Sequence, residues 1–394
     1  MAAPASPGLD AEQLVETACA RTGLDDLGPD TFRDGLDRLL DGLRTEARLN
    51  DIGRSITPEN LLLPLTNRLG LVDWHRRHPE IGAADVGPVV AMIGMGRTGT
   101  TIVHDLLAQD PANRVPRTWE VDRPFPPPET ATYDTDPRIA EVQAGIDAGR
   151  EARPELQAMH PMGAQLAQEC IRMTASEFAS LIFLSQYRSP SYLRWLTVDA
   201  DLAPAYRLHR QFLQLLQWRH RGDRWVIKSG AHQWALPALV AEYPDAWFIQ
   251  THRDPLRVIA SLSSLFAAIH STFSDEVTVS EVAAEWSEAI LDALDRSVTA
   301  RDDGTVPAAR VVDVQYAAFM DNPFREIHRV YDHLGADLTP EVEQRMRAFL
   351  DNHRADQHGT HRYSWADTGL DEHELRERAR RYVDYFDVPA EPLP

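Results

Sequence analysis

The chain has 394 residues and a formal net charge of −20, with 43% hydrophobic and 25% charged residues. That charge argues against nucleic acid and anionic membrane surfaces as partners, so an anion must be held by a local basic patch on an acidic body. The composition is that of a soluble globular protein with ample core, and no apolar run approaches the ~20 residues needed to span a bilayer.

The opening Met1–Ser6 has neither a basic region nor an apolar run after it, so no secretory signal is expected and the cytoplasm is the expected location. Cys19 and Cys170 are too few for a disulfide framework and are expected as free thiols. Leu14 with Ala18, and Phe32, Leu36, Leu39, Leu40 and Leu43, recur at helical spacing, so residues 1–86 predict a helical extension. Pro88–Gly94 is a continuous apolar run, as expected of a strand buried on both faces. The runs 225–228, 246–252 and 309–315 read the same way, with helical patterns between them. The fold class expected is α/β, a P-loop-type parallel sheet flanked by helices, in a single domain whose core occupies 87–394. Pro124–Thr132 predicts a loop, and 140–222 a mostly helical insertion that includes an amphipathic stretch from Tyr206 to Trp218. From Asp371 onward the pattern is a charged amphipathic helix.

The strongest local signal is Gly94-Met-Gly-Arg-Thr-Gly-Thr-Thr101, placed between a strand and a helix. Such a turn aims several backbone N–H groups at one anion. Arg97 adds a cation, and Thr100 and Thr101 add hydroxyl donors. The spacing matches a Walker A loop except that Thr100 stands where ATPases carry Lys, which counts against a nucleoside triphosphatase. A second strand-to-helix passage carries Arg253, with Ser261 eight residues on, two helical turns away. Paired Arg and Ser donors suit a second phosphate, although Asp254-Pro255 also reads as a plain helix cap.

Together these loops resemble the sulfotransferases that use 3'-phosphoadenosine-5'-phosphosulfate (PAPS), in the bacterial branch with an Arg-Thr-Gly-Thr-Thr loop. The likeness includes His104–Pro111, Trp119-Glu120, Pro126–Glu129, Gln168–Cys170 and Lys228–His232. The resemblance implies that Arg97, Thr98, Gly99, Thr100 and Thr101 hold the 5'-phosphosulfate and that Arg253 and Ser261 hold the 3'-phosphate. It also implies a nucleotide-covering loop around Asn352–Tyr363, with Arg354, Gly359 and His361. Gly230 departs from the Pro expected there, and Gln168 from the commoner Glu.

Catalytic roles implied are charge stabilisation by Arg97 and Lys228 and proton abstraction by His232, with Glu169 as the other candidate base. His160 and His104 are weaker candidates. No metal is expected: His353, His358 and His361 lack helical spacing and carboxylate support. The acceptor is expected to be a small-molecule hydroxyl compound such as a lipid, steroid, phenol or polyketide alcohol. Trp195, Trp218, Phe178, Phe183 and Trp234 could line its pocket or belong to the core. Two other readings stay open: an ATP-using small-molecule kinase with Asp313 as a magnesium ligand, and a non-catalytic nucleotide-binding protein.

Overall fold

The computed structural model describes residues 8–154, 156, 162–352 and 362–394. Its sheet has five parallel strands: β1 (Val89–Met92), β2 (Asn113–Arg114), β3 (Arg224–Lys228), β4 (Trp247–His252) and β5 (Val311–Gln315). Four of them are the apolar runs, buried as their composition requires. β2 is disclosed by no pattern, because two polar residues carry no periodicity. It pairs with Arg224 and Trp225, and its Arg114 is buried against Glu120.

The strand order is β2-β3-β1-β4-β5, so after β1 the chain builds one side of the sheet and then crosses to the other. Ligands of open α/β sheets gather where the order reverses, outside the carboxyl ends of the strands. Here that point is the end of β1. The register sets Met92 opposite both Lys228 of β3 and Ile249 of β4, so the loops leaving all three strands meet in one crevice.

The extension forms helices Ala11–Thr22, Phe32–Thr45, Asp51–Arg77 and Pro79–Ala83. Pro58 and Pro64 lie inside the third helix, which runs through them because its buried face packs into the main core. That core also takes in Phe178, Phe183, Trp195, Trp234 and the helices Pro255–His270, Val279–Asp302 and Glu372–Phe386. The insertion is more broken than its composition predicts. Among the described residues after Pro137–Ala152 come the short helices Ile171–Thr174, Leu181–Gln186 and Pro190–Arg194, a π-helical turn at Trp195–Asp199, and the amphipathic Ala203–Gln217. Ser180 caps one piece and Pro190 starts another, so local chemistry divides the segment. The loop 124–132 is as expected apart from a 3₁₀ turn at Thr130–Thr132. Among the described residues no helix is long and apolar enough to cross a membrane.

Candidate functional site

β1 delivers the chain to the turn Gly94–Gly99. A Cβ on Gly94 would lie 1.8 Å from Thr251 Oγ1, so only glycine passes this close to β4. Gly99 (φ 91°) and Arg97 (φ 69°) take left-handed conformations that swing the chain into the helix Thr100–Leu107. Thr98 Oγ1 lies 2.6 Å from both Met95 O and Thr251 Oγ1, so its hydroxyl fastens the turn to β4. The first N–H groups of the helix, at Thr100 and Thr101, have no intrahelical acceptor.

Lys228, at the end of β3, is only 2% exposed. Its Nζ donates to Thr101 Oγ1 at 3.2 Å and to Glu169 Oε1 at 2.7 Å. Glu169 is brought there by the insertion, where Cys170 N bonds Lys228 O at 3.0 Å. Gln168 has a part in this, since its Oε1 accepts from Glu169 N at 2.8 Å. One turn along the helix from Thr101, His104 donates from Nε2 to Val226 O at 3.1 Å. Burial, then the nearby Lys228 charge, lowers its pKa to about 3, so it stays neutral. Burial raises the Asp105 carboxyl to about 7 against the pull of Lys228.

His232 is buried on the 3₁₀ turn that follows β3. Its Nδ1 lies 2.5 Å from Tyr206 Oη, while Nε2 has no hydrogen-bond partner among the described residues. Burial, with His209 and Lys228 adding to it, holds the imidazole well below its ordinary pKa. Gly230 has its own reason on this turn: a Cβ there would approach Gly96 N to 3.0 Å. The His232 turn and the β1 turn are therefore in direct contact.

The two turns expected to hold anions are joined through Arg97. Arg253 NH1 donates to Arg97 O at 3.0 Å, and Arg97 Nε donates to Ser261 Oγ at 2.9 Å. The Arg253 guanidinium stacks over Tyr316, 4.0 Å from the ring centroid. Burial, opposed by Tyr363 and reinforced by Arg253, lowers the Arg97 pKa from its ordinary value. Asp254 does cap the helix Pro255–His270, accepting from Leu256 N at 2.9 Å. Its other oxygen takes Glu391 N at 2.7 Å.

Sequence reasoning missed Glu391, Tyr316 and Tyr206. Tyr316 directly follows β5, a strand-end position that carried a usable signal. Glu391 carried none, because it lies 138 residues from Arg253. Arg354, Gly359 and His361 lie outside the described residues, as do His160, His353 and His358. Among the described residues no cluster of three or more potential metal ligands is found. Asp313, the carboxylate of the kinase alternative, is engaged by Arg301 NH2 at 2.8 Å and His252 Nε2 at 3.0 Å.

The five aromatics do not form one pocket. Phe178 stacks on Phe183 at 5.4 Å within the main core, whereas Trp218 packs on Trp74 at 6.0 Å elsewhere. A cleft of about 630 Å³ instead opens between the helix Asp51–Arg77, the turn Asp122–Phe125 and residues 172–186. Leu62, Leu63, Phe125, Ile182 and Phe183 line it, and the Arg172–Asp122 ion pair stands at its wall. Arg172 lies three residues past Glu169, so the cleft adjoins the Lys228 site along the chain.

Comparison with known proteins matches residues 88–340 to the model of the sulfotransferase family. The crystal structure of sulfotransferase STF9 from Mycobacterium avium superposes with a TM-score of 0.88 at 29% identity, covering 99% of this chain and 100% of that one. Sulfotransferase STF1 from Mycobacterium tuberculosis H37Rv gives a TM-score of 0.83 at 30% identity, covering 94% and 98%. Omega-hydroxy-beta-dihydromenaquinone-9 sulfotransferase Stf3 from Mycobacterium bovis is 24% identical over 294 residues, 71% of this chain and 70% of that protein.

Proposed function

The chain belongs to the sulfotransferase family, and from that premise we propose that it is a cytoplasmic enzyme that uses PAPS. It moves the sulfuryl group to a hydroxyl acceptor, leaving a sulfate ester and adenosine 3',5'-bisphosphate. The observation that carries this is the pair of basic sites at the ends of β1 and β4, joined as Arg253–Arg97–Ser261. PAPS presents two separated anionic groups, and two linked sites suit it better than they suit a linear triphosphate.

In this proposal the first helix turn after Gly99, with Thr100, Thr101, Arg97 and Lys228, faces the 5'-phosphosulfate. The N–H groups and the Lys228 ammonium stabilise the charge that grows on the departing 5'-phosphate oxygen. Arg253 and Ser261 take the 3'-phosphate. By resemblance, the segment with Arg354, Gly359 and His361 covers the nucleotide. The acceptor oxygen forms its bond to sulfur as the bond from sulfur to the phosphate oxygen breaks, in line. His232 Nε2, buried and without a hydrogen-bond partner among the described residues, takes the acceptor's proton. That role requires the tautomer with hydrogen on Nδ1, donated to Tyr206 Oη. Glu169, already paired with Lys228, is the alternative base. The mechanism invokes no metal.

The cleft beside Arg172 is the proposed acceptor site, with a volume in the ~300–1,000 Å³ range of small-molecule pockets. Its lining mixes apolar side chains such as Leu62, Phe125 and Phe183 with polar ones such as Glu59, Asn60 and Arg123, which suits an alcohol with both a hydrocarbon body and polar groups. The Mycobacterium bovis relative is named for a lipid-like substrate of that kind, a hydroxylated menaquinone. Titration calorimetry tests the donor assignment. Adenosine 3',5'-bisphosphate is expected to bind well and AMP or ATP much less; equal affinity for AMP and the bisphosphate overturns it.

A further inference from the structure

Given the donor-binding assignment above, we propose that Glu391 is a positioning residue for the 3'-phosphate: it holds the Arg253 guanidinium in the orientation that receives it. Glu391 takes one edge of Arg253 in a bidentate pair, Nε to Oε1 at 2.8 Å and NH2 to Oε2 at 3.0 Å. NH1 donates to Arg97 O, and the Tyr316 ring supports the guanidinium face. A guanidinium has five N–H groups, and these contacts use three. Among the described residues, one hydrogen on NH1 and one on NH2 remain to be offered to phosphate oxygens.

The obvious rival is that Glu391 imitates the phosphate and must leave before the donor binds. The anchoring of its segment argues otherwise. Glu391 N bonds Asp254 Oδ2 at 2.7 Å, Pro392 O accepts from Arg257 NH1 at 3.0 Å, and Pro394 O accepts from Trp365 N at 2.9 Å. None of these contacts involves Arg253. The backbone that carries the carboxylate is thus anchored independently of Arg253, which keeps Glu391 beside it as a template. Nor does it cancel the basic site: Arg97, Arg253 and Arg257 outnumber it, with Arg257 Nε 3.6 Å from Glu391 Oε2. A side chain as long as arginine has much rotamer freedom to lose on binding, and ordering it beforehand favours affinity.

Glu391→Gln and Glu391→Ala, compared in the full chain by calorimetry, decide the matter. The expected result is that affinity for adenosine 3',5'-bisphosphate falls about tenfold in Glu391→Ala and less in Glu391→Gln, which keeps one acceptor. AMP affinity stays within about twofold in both and serves as the folding control. In turnover assays KM for PAPS rises while kcat at saturation is nearly unchanged. A purely structural role of the segment would lower both affinities together and overturns the proposal. Unchanged bisphosphate affinity overturns it too, and tighter binding in either variant establishes the phosphate-mimic alternative. If the unaltered protein does not distinguish bisphosphate from AMP, the donor assignment itself fails and Glu391 has no phosphate to serve.

Discussion

Lys228 Nζ lies 2.7 Å from Glu169 Oε1, at the meeting point of the sheet and the insertion. A buried ammonium needs a partner, and removing one member of a buried pair costs about 3–5 kcal/mol. Glu169 therefore has a structural task whatever its chemical one, and tests of the base must allow for it.

His232→Ala is expected to lower turnover ~10²–10⁴-fold with bisphosphate binding nearly normal, the usual scale of general-base catalysis. Tyr206→Phe removes the group beside Nδ1 and is expected to cost turnover less, again without loss of donor affinity. Glu169→Gln keeps an acceptor for Lys228 and is expected to retain more activity than His232→Ala. The reverse ranking assigns the proton to Glu169, and near-normal turnover in both removes both from the role.

Arg97→Ala and Arg253→Ala are each expected to weaken donor binding about ten- to a hundred-fold, since a charge-assisted hydrogen bond is worth roughly 1.5–3 kcal/mol. Arg253 bonds only the backbone carbonyl of Arg97, which alanine keeps, but the two guanidinium charges interact, so the double variant should depart from the sum of the single losses. Calorimetry on all three proteins checks this. A folded single variant with unaltered affinity takes that residue out of the site.

Gly230→Ala probes the contact between the His232 turn and the Gly94–Gly99 turn. The added Cβ meets Gly96 N at 3.0 Å, so one backbone must yield. Overpacking of this kind costs about 1–3 kcal/mol. The expected outcome is a lower melting temperature together with several-fold weaker bisphosphate binding. A variant that melts lower but binds normally would show that the strain is relieved on the His232 side alone.

Stability should fall in acid through buried imidazoles. His104 and His209 are lowered to about 3 and His270 to about 4, mainly by burial, and His232 is also lowered. Unfolding restores their ordinary pKa of ~6.5. Below that pH the unfolded chain binds protons that the folded one refuses, so their contribution is complete above it and is lost as pH falls toward the folded values. Each such group gives a slope of about 1.4 kcal/mol per pH unit in that window. Denaturant midpoints between pH 7 and 5 measure it, and a flat profile would contradict the neutral burial of these residues.

The sequence by itself determined what local chemistry determines. Four short apolar runs read as buried strands and are strands, and Gly99 at φ 91° is required by the turn into the helix Thr100–Leu107. Strand-end positions, together with the family resemblance, made Arg97, Lys228, His232 and Arg253 legible as candidates for one site. Tertiary packing decided the rest, because each remaining feature depends on residues far apart in the chain. Phe178 and Trp218 are alike in composition yet belong to different cores. Two polar residues become β2 only because Arg224 and Trp225 offer backbone partners. The pairing of Lys228 with Glu169 spans 59 residues and that of Arg253 with Glu391 spans 138, and no periodicity or motif encodes contacts at such separations.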